Sequence, residues 1–382
     1  MVKKHLSIKF FLVSLAAMLV FLTSCLYQTP IRIGFAAQLT GKQADPGIHL
    51  RNGVELAVEE INAAGGINDR KIELLVEDDL GTPQGAKDAE TKIIDQGVVA
   101  VIGHFTSDQT LAGYEVAEKR GVLLFSATAS TSVMTGLNDL FYRTVASTDA
   151  MGSGFATYIY RDKKINSIAV IFDEDNKSYS EPLANAFTAT FTKLGGNITY
   201  TEKFSSSRSP DYSQSVTMMK DSAAKAVFII ASPNDTALIT QTIALQNWAP
   251  ELFTSSWAQG ELLYQTGGKT IEGMETIVGF DVNDATPELD KFKEDYLKRY
   301  GVTPGFTAME GYETMQLLAR GLEKTGGSAI NLGNALIGIQ DYMGLTGPVM
   351  LDAYGDALRV LSIQKIIDGK FVTIKKLDMT EK

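Results

Sequence analysis

Residues 31–76, IRIGFAAQLTGKQADPGIHLRNGVELAVEEINAAGGINDRKIELLV, hold a strand, a helix and a second strand in succession. Ile31 to Phe35 is a short apolar run of strand length. Asp45-Pro46 then supplies a helix N-cap and a proline at the first helical position. Leu50, Val54, Val58 and Ile61 share one helical face, and Gly65-Gly66 ends the helix before the strand Ile72 to Val76. A helix follows through about Gln96, and the pattern repeats: Val98 to Gly103, Val122 to Phe125, Ile168 to Phe172 and Ala226 to Ala231 are apolar runs, each followed by a helical stretch. Strands that alternate with helices lie parallel and are covered on both faces. The reading is an α/β protein of two doubly wound parallel-sheet lobes, with the switch between them near Ser147-Thr148.

Upstream lies MVKKHLSIKFFLVSLAAMLVFLTSC. Its three lysines and the short apolar run Phe10 to Leu22 predict a signal peptide over residues 1–24. Leu22-Thr23-Ser24-Cys25 resembles the bacterial lipoprotein cleavage box, and Cys25 is the only cysteine in the chain. Lipidation of Cys25, a tether over 25–30 and an exported body held at a membrane surface are therefore expected, with no intramolecular disulfide. Cleavage leaves 358 residues, a length that suits two domains. It also leaves 32 basic against 45 acidic residues, a net charge of −13, which disfavours nucleic acid as a partner.

Parallel sheets present their loops and helix starts at the carboxyl ends of the strands. His104-Phe105-Thr106-Ser107-Asp108 follows Val101-Ile102-Gly103, and Ser126-Ala127-Thr128-Ala129-Ser130 follows Leu123-Leu124-Phe125. If these strands are neighbours, two hydroxyl-rich turns lie side by side. Hydroxyls combined with helix-start amides suit a carboxylate, although Ser107 and Ser130 could equally be helix caps.

Enzymatic patterns do not complete. There is no Gly-x-Ser-x-Gly elbow and no His-Glu-x-x-His, and Leu263 stands where a phosphate-binding loop ending in Gly267-Gly268-Lys269-Thr270 needs a glycine. The mature chain has only His49 and His104, with no second cysteine, so a zinc site or a histidine triad is poorly supplied. Glu77-Asp78-Asp79 and Asp173-Glu174-Asp175 lack the alternating oxygen ligands of a calcium loop. No cofactor, metal or catalytic residue is expected.

Several short stretches, in order and spacing, carry a resemblance: Gln38-Leu39-Thr40-Gly41, Gly53-Val54-Glu55-Leu56-Ala57, Ile61 to Ile67, Val101-Ile102-Gly103-His104, Phe141-Tyr142-Arg143-Thr144, Gly311-Tyr312-Glu313 and Gly344-Leu345-Thr346-Gly347-Pro348. With them the chain resembles the leucine/isoleucine/valine-binding type of periplasmic solute-binding protein, the receptor of bacterial ABC importers. The resemblance implies a type I clamshell of two lobes joined by three hinge strands. It assigns 31–147 plus 278–354 to one lobe and 148–277 plus 355–382 to the other. It also implies an ABC permease as membrane partner and a small-molecule ligand held by Phe105, Ser107, Thr128, Ser130, Tyr179, Ser232 and Trp257. Trp257 stands where the family grips a ligand ammonium with an acid, which leaves Asp45, Asp235, Glu310 or backbone carbonyls as candidates for that role. The expected ligand is a branched-chain or aromatic amino acid. An aromatic or aliphatic acid without an ammonium is the alternative, as is a ligand sensor for a membrane signalling partner.

Overall fold

The computed structural model describes residues 29–41, 44–281 and 286–377; the leader and Cys25 lie outside them. The order is β1 (Ile31–Ala37), α1 (Ala44–Ala63), β2 (Ile72–Asp78), α2 (Pro83–Ile94), β3 (Ala100–Gly103), α3 (Ser107–Arg120), β4 (Leu123–Ser126) and β5 (Phe141–Arg143). Then come α4 (Thr148–Arg161), β6 (Ser167–Asp173), α5 (Lys177–Lys193), β7 (Asn197–Phe204), α6 (Ser213–Asp221), β8 (Ala226–Ile230), α7 (Pro233–Leu245), β9 (Glu251–Ser255), α8 (Glu261–Gly267) and β10 (Glu275–Val278). The chain closes with α9 (Pro287–Tyr300), α10 (Phe306–Lys324), α11 (Leu332–Ile337), β11 (Leu361–Ile367) and β12 (Lys370–Leu377).

The first sheet runs β2-β1-β3-β4-β5, every pair parallel. The second runs β7-β6-β8-β9-β10 in parallel and then adds β11 and β12 antiparallel. The parallel portions share one topology: the first strand lies between the second and the third. That is the switch point at which doubly wound sheets leave a crevice outside the strand ends. The antiparallel edge departs from the all-parallel expectation. β11 and β12 are joined by the turn at Asp368-Gly369, and a hairpin connection of that kind can only make an antiparallel pair. The chain passes between the lobes three times, after β5, after β10 and before β11.

Each sheet is covered on both faces. In the first lobe, Phe35, Leu50, Val54, Phe125 and Leu318 form one core, and Ile93, Val101, Leu124 and Phe141 form the other. Helices α1 and α10 cross closely, because a Cβ at Gly53 would overlap the carbonyl oxygen of Ala308. In the second lobe the ring of Phe155 stands edge-on to Phe187, Phe228 and Phe253, with centroids 5.4–6.5 Å away. Helix α1 begins at Ala44 and not after Asp45, so Asp45 lies in its first turn, where a negative charge still complements the helix dipole. Among the bonds between the lobes, the Ser178 N–H, at the start of α5, donates to Asp108 Oδ1 of α3 at 3.1 Å.

Candidate functional site

The two hydroxyl-rich turns are neighbours because β3 and β4 pair in parallel, with Ile102 opposite Phe125. The Thr128 hydroxyl fastens them together, donating to the carbonyl of Phe105 at 2.6 Å and lying 3.1 Å from that of His104. Ser126 Oγ accepts from the Ala129 N–H at 3.0 Å and shapes the second turn. Ser130 Oγ reaches the Thr128 carbonyl at 3.3 Å, and its own carbonyl accepts from the Thr148 N–H at 2.7 Å. Ser107 opens α3 and is 2% exposed; its hydroxyl makes no hydrogen bond among the described residues. Thr106, at the N-cap, makes no capping bond, and its hydroxyl is buried without a partner. The start of α3 therefore offers donors that no cap occupies.

Beneath the first turn lies a charged foundation. His104 is fully buried, with Nδ1 2.8 Å from Asp79 Oδ2 and Nε2 3.5 Å from Glu90 Oε2. Burial by itself would depress the imidazole, but the hydrogen bond to Asp79 and the nearby charges of Asp79 and Glu90 outweigh it and raise the group to about 9. Burial also raises the Glu90 carboxyl, against the opposing pull of His104. A Cβ at Gly113 would collide with the His104 ring, so α3 can rest on the imidazole only with glycine there.

The second lobe contributes an aromatic wall. Tyr179 lies in the first turn of α5, and Trp257 lies in the 3-10 turn Ser256–Ala258 after β9. Their rings meet edge to face, with centroids 5.9 Å apart at 81°. The Tyr179 hydroxyl is buried without a hydrogen bond, as are Ser255 Oγ and Asn176 Oδ1. Burial raises the Tyr179 phenol above its ordinary value.

One cleft of about 650 Å³, its open mouth included, gathers these groups. Phe105, Ser107, Thr128, Ser130, Tyr179 and Trp257 all line it. Ser232 does not. It caps α7, its hydroxyl accepting from the Asp235 N–H at 3.3 Å and lying 2.6 Å from the Asp235 carboxylate. Ser232 faces a broader groove of about 1390 Å³ that shares Phe105, Trp257, Gln259 and Phe306 with the cleft. Cap chemistry thus accounts for Ser232.

Of the three acids named as possible ammonium partners, Asp45 and Asp235 line the broader groove and Glu310 lines the cleft itself. The Asp45 side chain is 81% exposed. The Asp235 carboxylate is engaged by Ser206 at 2.8 Å and Tyr212 at 2.7 Å as well as by Ser232. Glu310, on α10, is 7% exposed, and its Oε2 has no partner. Burial, opposed by Arg359, raises its carboxyl to about 8.

The cleft also takes in residues that the sequence reading did not single out, among them Asn176, Met151, Phe280 and Phe306. Asn176 carried a signal, since it precedes a helix in the same loop as Tyr179, yet as N-cap it makes no capping bond and leaves its amide to the cleft. Phe280 and Met151 stand beside the crossings between lobes, where local pattern carries little information. Among the described residues, no group of three or more His, Cys, Asp and Glu is arranged to hold a metal, and no helix is long and apolar enough to cross a membrane.

The chain is 27% identical over 319 residues to Leu/Ile/Val-binding protein homolog 1 of Brucella abortus (strain 2308), covering 82% of this chain and 83% of that protein. In fold it is similar to the branched-chain amino acid transporter substrate-binding protein LivJ of Streptococcus pneumoniae in complex with isoleucine, with TM-score 0.83, 23% identity, and coverage of 91% of this chain and 99% of that one. It is also similar to an ABC transporter solute-binding protein of R. palustris in complex with benzoate, with TM-score 0.81, 18% identity, and coverage of 91% and 96%. The profile of the periplasmic binding protein family matches residues 30–370. A match of that extent takes in both lobes and the cleft between them: this chain is a member of the periplasmic binding protein family.

Proposed function

We propose that this chain is a receptor that captures a small carboxylate-bearing solute in the cleft and delivers it to an ABC permease, anchored outside the cytoplasm by lipid on Cys25. The lobes are taken as 31–147 plus 278–354 and 148–277 plus 355–382. The observation that carries the reading is the pairing of two unlike faces on one cleft. The Ser107 hydroxyl and the uncapped first turn of α3 offer donors on one side, and Tyr179 with Trp257 offers an apolar wall on the other. Helix-start amides and a hydroxyl suit a carboxylate, and aromatic rings suit a branched or aromatic side chain. Thr128 and Ser130 serve by bracing the two turns: the Thr128 hydroxyl donates across to the Phe105 carbonyl, and that of Ser130 to the Thr128 carbonyl.

A branched-chain or aromatic amino acid fits best, as the Brucella abortus relative and the isoleucine-bound neighbour suggest by name. Trp257 in place of an acid favours a second reading, an aromatic or aliphatic acid without an ammonium, and the benzoate-bound neighbour gives that reading a parallel. Calorimetric titration with each amino acid and its deaminated analogue tests the solute class. Ser107→Ala should weaken the preferred solute roughly 10- to 150-fold, the worth of one charge-assisted bond. If only uncharged compounds bind, or Ser107→Ala changes nothing, the carboxylate assignment falls. Incorporation of labelled fatty acid into wild type and not into Cys25→Ala tests the anchor.

A further inference from the structure

Three charged side chains meet where the lobes join. Arg359 is buried; its Nε donates to the Thr144 carbonyl at 2.6 Å, and its Nη2 pairs with Glu313 Oε1. The other oxygen of Glu313 accepts the Leu345 N–H at 2.8 Å. Arg359 and Glu313 thus neutralise one another, and both carboxylate oxygens of Glu313 have donors. Glu310 is the third member and has no such partner: the Arg359 charge reaches it, but no donor meets its Oε2. A buried carboxylate without a counter-charge is costly, and it is stable only as the neutral acid or beside a cation. Its open side is the cleft, which Trp257 and Phe306 also line; the Phe280 ring is taken up by Arg359, whose guanidinium lies 5.5 Å from its centroid.

We propose that Glu310 is the counter-charge for a cationic group of the solute, taking up from α10 the role that Trp257 cannot fill from the second lobe. The inference rests on the reading of the chain as a solute receptor and extends it to a zwitterionic solute, with its carboxylate against Ser107 and its ammonium against Glu310. The titratable groups that face Glu310 are Arg359, with Glu313 paired to it, and the Tyr179 phenol. Burial pushes the carboxyl up to about 8, so the neutral acid is the favoured form of the free protein at pH 7. When an ammonium arrives, the proton leaves to solvent and a carboxylate–ammonium pair remains, so charge and atoms balance. Capture of a cation is thereby coupled to proton release.

The full chain is titrated with leucine, 4-methylpentanoate and 3-methylbutylamine, and with phenylalanine, 3-phenylpropionate and 2-phenylethylamine, in buffers of differing ionisation heat. The expected result is amino-acid binding that releases about one proton at pH 7. In Glu310→Gln, amino-acid affinity should fall roughly 10- to 150-fold while the deaminated acid binds as well or better. Binding of the amines alone, with the same dependence on Glu310, would uphold the counter-charge and overturn the carboxylate reading. Binding of the acids alone would overturn the counter-charge and leave the receptor reading standing. So would amino-acid binding without proton release and within roughly threefold of wild type in Glu310→Gln. If Glu310→Gln does not fold, the same titrations on Glu310→Asp decide the matter: the shorter carboxyl should weaken amino-acid binding, and unchanged affinity would overturn the counter-charge.

Discussion

The two walls of the cleft are built on the same strand order and have opposite chemistry. On the first lobe, Ser107 and the start of α3 present hydroxyl and amide donors, supported by the buried His104, Asp79 and Glu90. On the second, Tyr179 and Trp257 present ring surface, backed by a core dominated by Phe155, Phe187, Phe228 and Phe253. Equivalent switch points in β1/β3 and β6/β8 thus supply only position, and a few loop residues decide what each wall recognises. The polar wall offers directional donors, which on the proposed function would fix how a solute lies. The aromatic wall is nondirectional and responds to the size and shape of its apolar part.

The strongest way to break this comparison is to remove the charged foundation of the first wall. Asp79→Ala strands His104 and Glu90 in the core and should cost about 3–5 kcal/mol of stability. Both tryptophans, Trp248 and Trp257, lie in the second lobe, so their fluorescence reports on that lobe in urea unfolding. The circular dichroism midpoint should fall further than the fluorescence midpoint. Coincident shifts would show that the two walls stand or fall together. The foundation also predicts a pH dependence. His104 is raised in the folded state from 6.5 to about 9, so its contribution is complete below about pH 6.5 and is lost as pH rises through about 9. Glu90, also raised, acts in the same direction. Asp79→Ala should flatten that decline.

A smaller effect is expected on the other wall. Trp257→Ala removes ring surface and its edge contact with Tyr179, and should weaken solutes with leucine- or phenylalanine-sized tails roughly tenfold. An alanine-sized solute should change little, and equal losses for both would mean that Trp257 supports the lobe without facing the solute's tail. The smallest effect belongs to Ser232→Ala. It deletes the cap of α7 and should lower stability by about 1 kcal/mol. Solute affinity by calorimetry should stay within about twofold.

Much of this architecture is legible in the sequence, because parallel strands buried on both faces appear as unbroken apolar runs. Ile31 to Phe35 and Ala226 to Ala231 are of that kind. β7, NITYTEKF, and β9, ELFTS, mix charged or hydroxyl residues with apolar ones, and β5 has only three residues, so pattern alone did not mark them. The turns after β3 and β4 could be read because chain direction alone places them at the strand ends. Ser232 illustrates the limit: a serine poised to cap a helix and a serine poised to hold a solute look alike until the partner of the hydroxyl is known. The selection of Glu310 over Asp45 and Asp235 required knowing which acids already have donors.

The bond between the Ser178 amide and Asp108 joins the lobes without touching any solute. If the receptor works by shutting this crevice, a bond made on shutting adds equally for every occupant and cancels from any ratio of affinities. Its influence falls on dwell time: a shut state held by one more charge-assisted bond reopens more slowly. On the proposed function, position 108 would bear on how long a captured molecule stays, and position 257 on which molecule it is. In this chain retention and discrimination are separate variables, open to change one at a time.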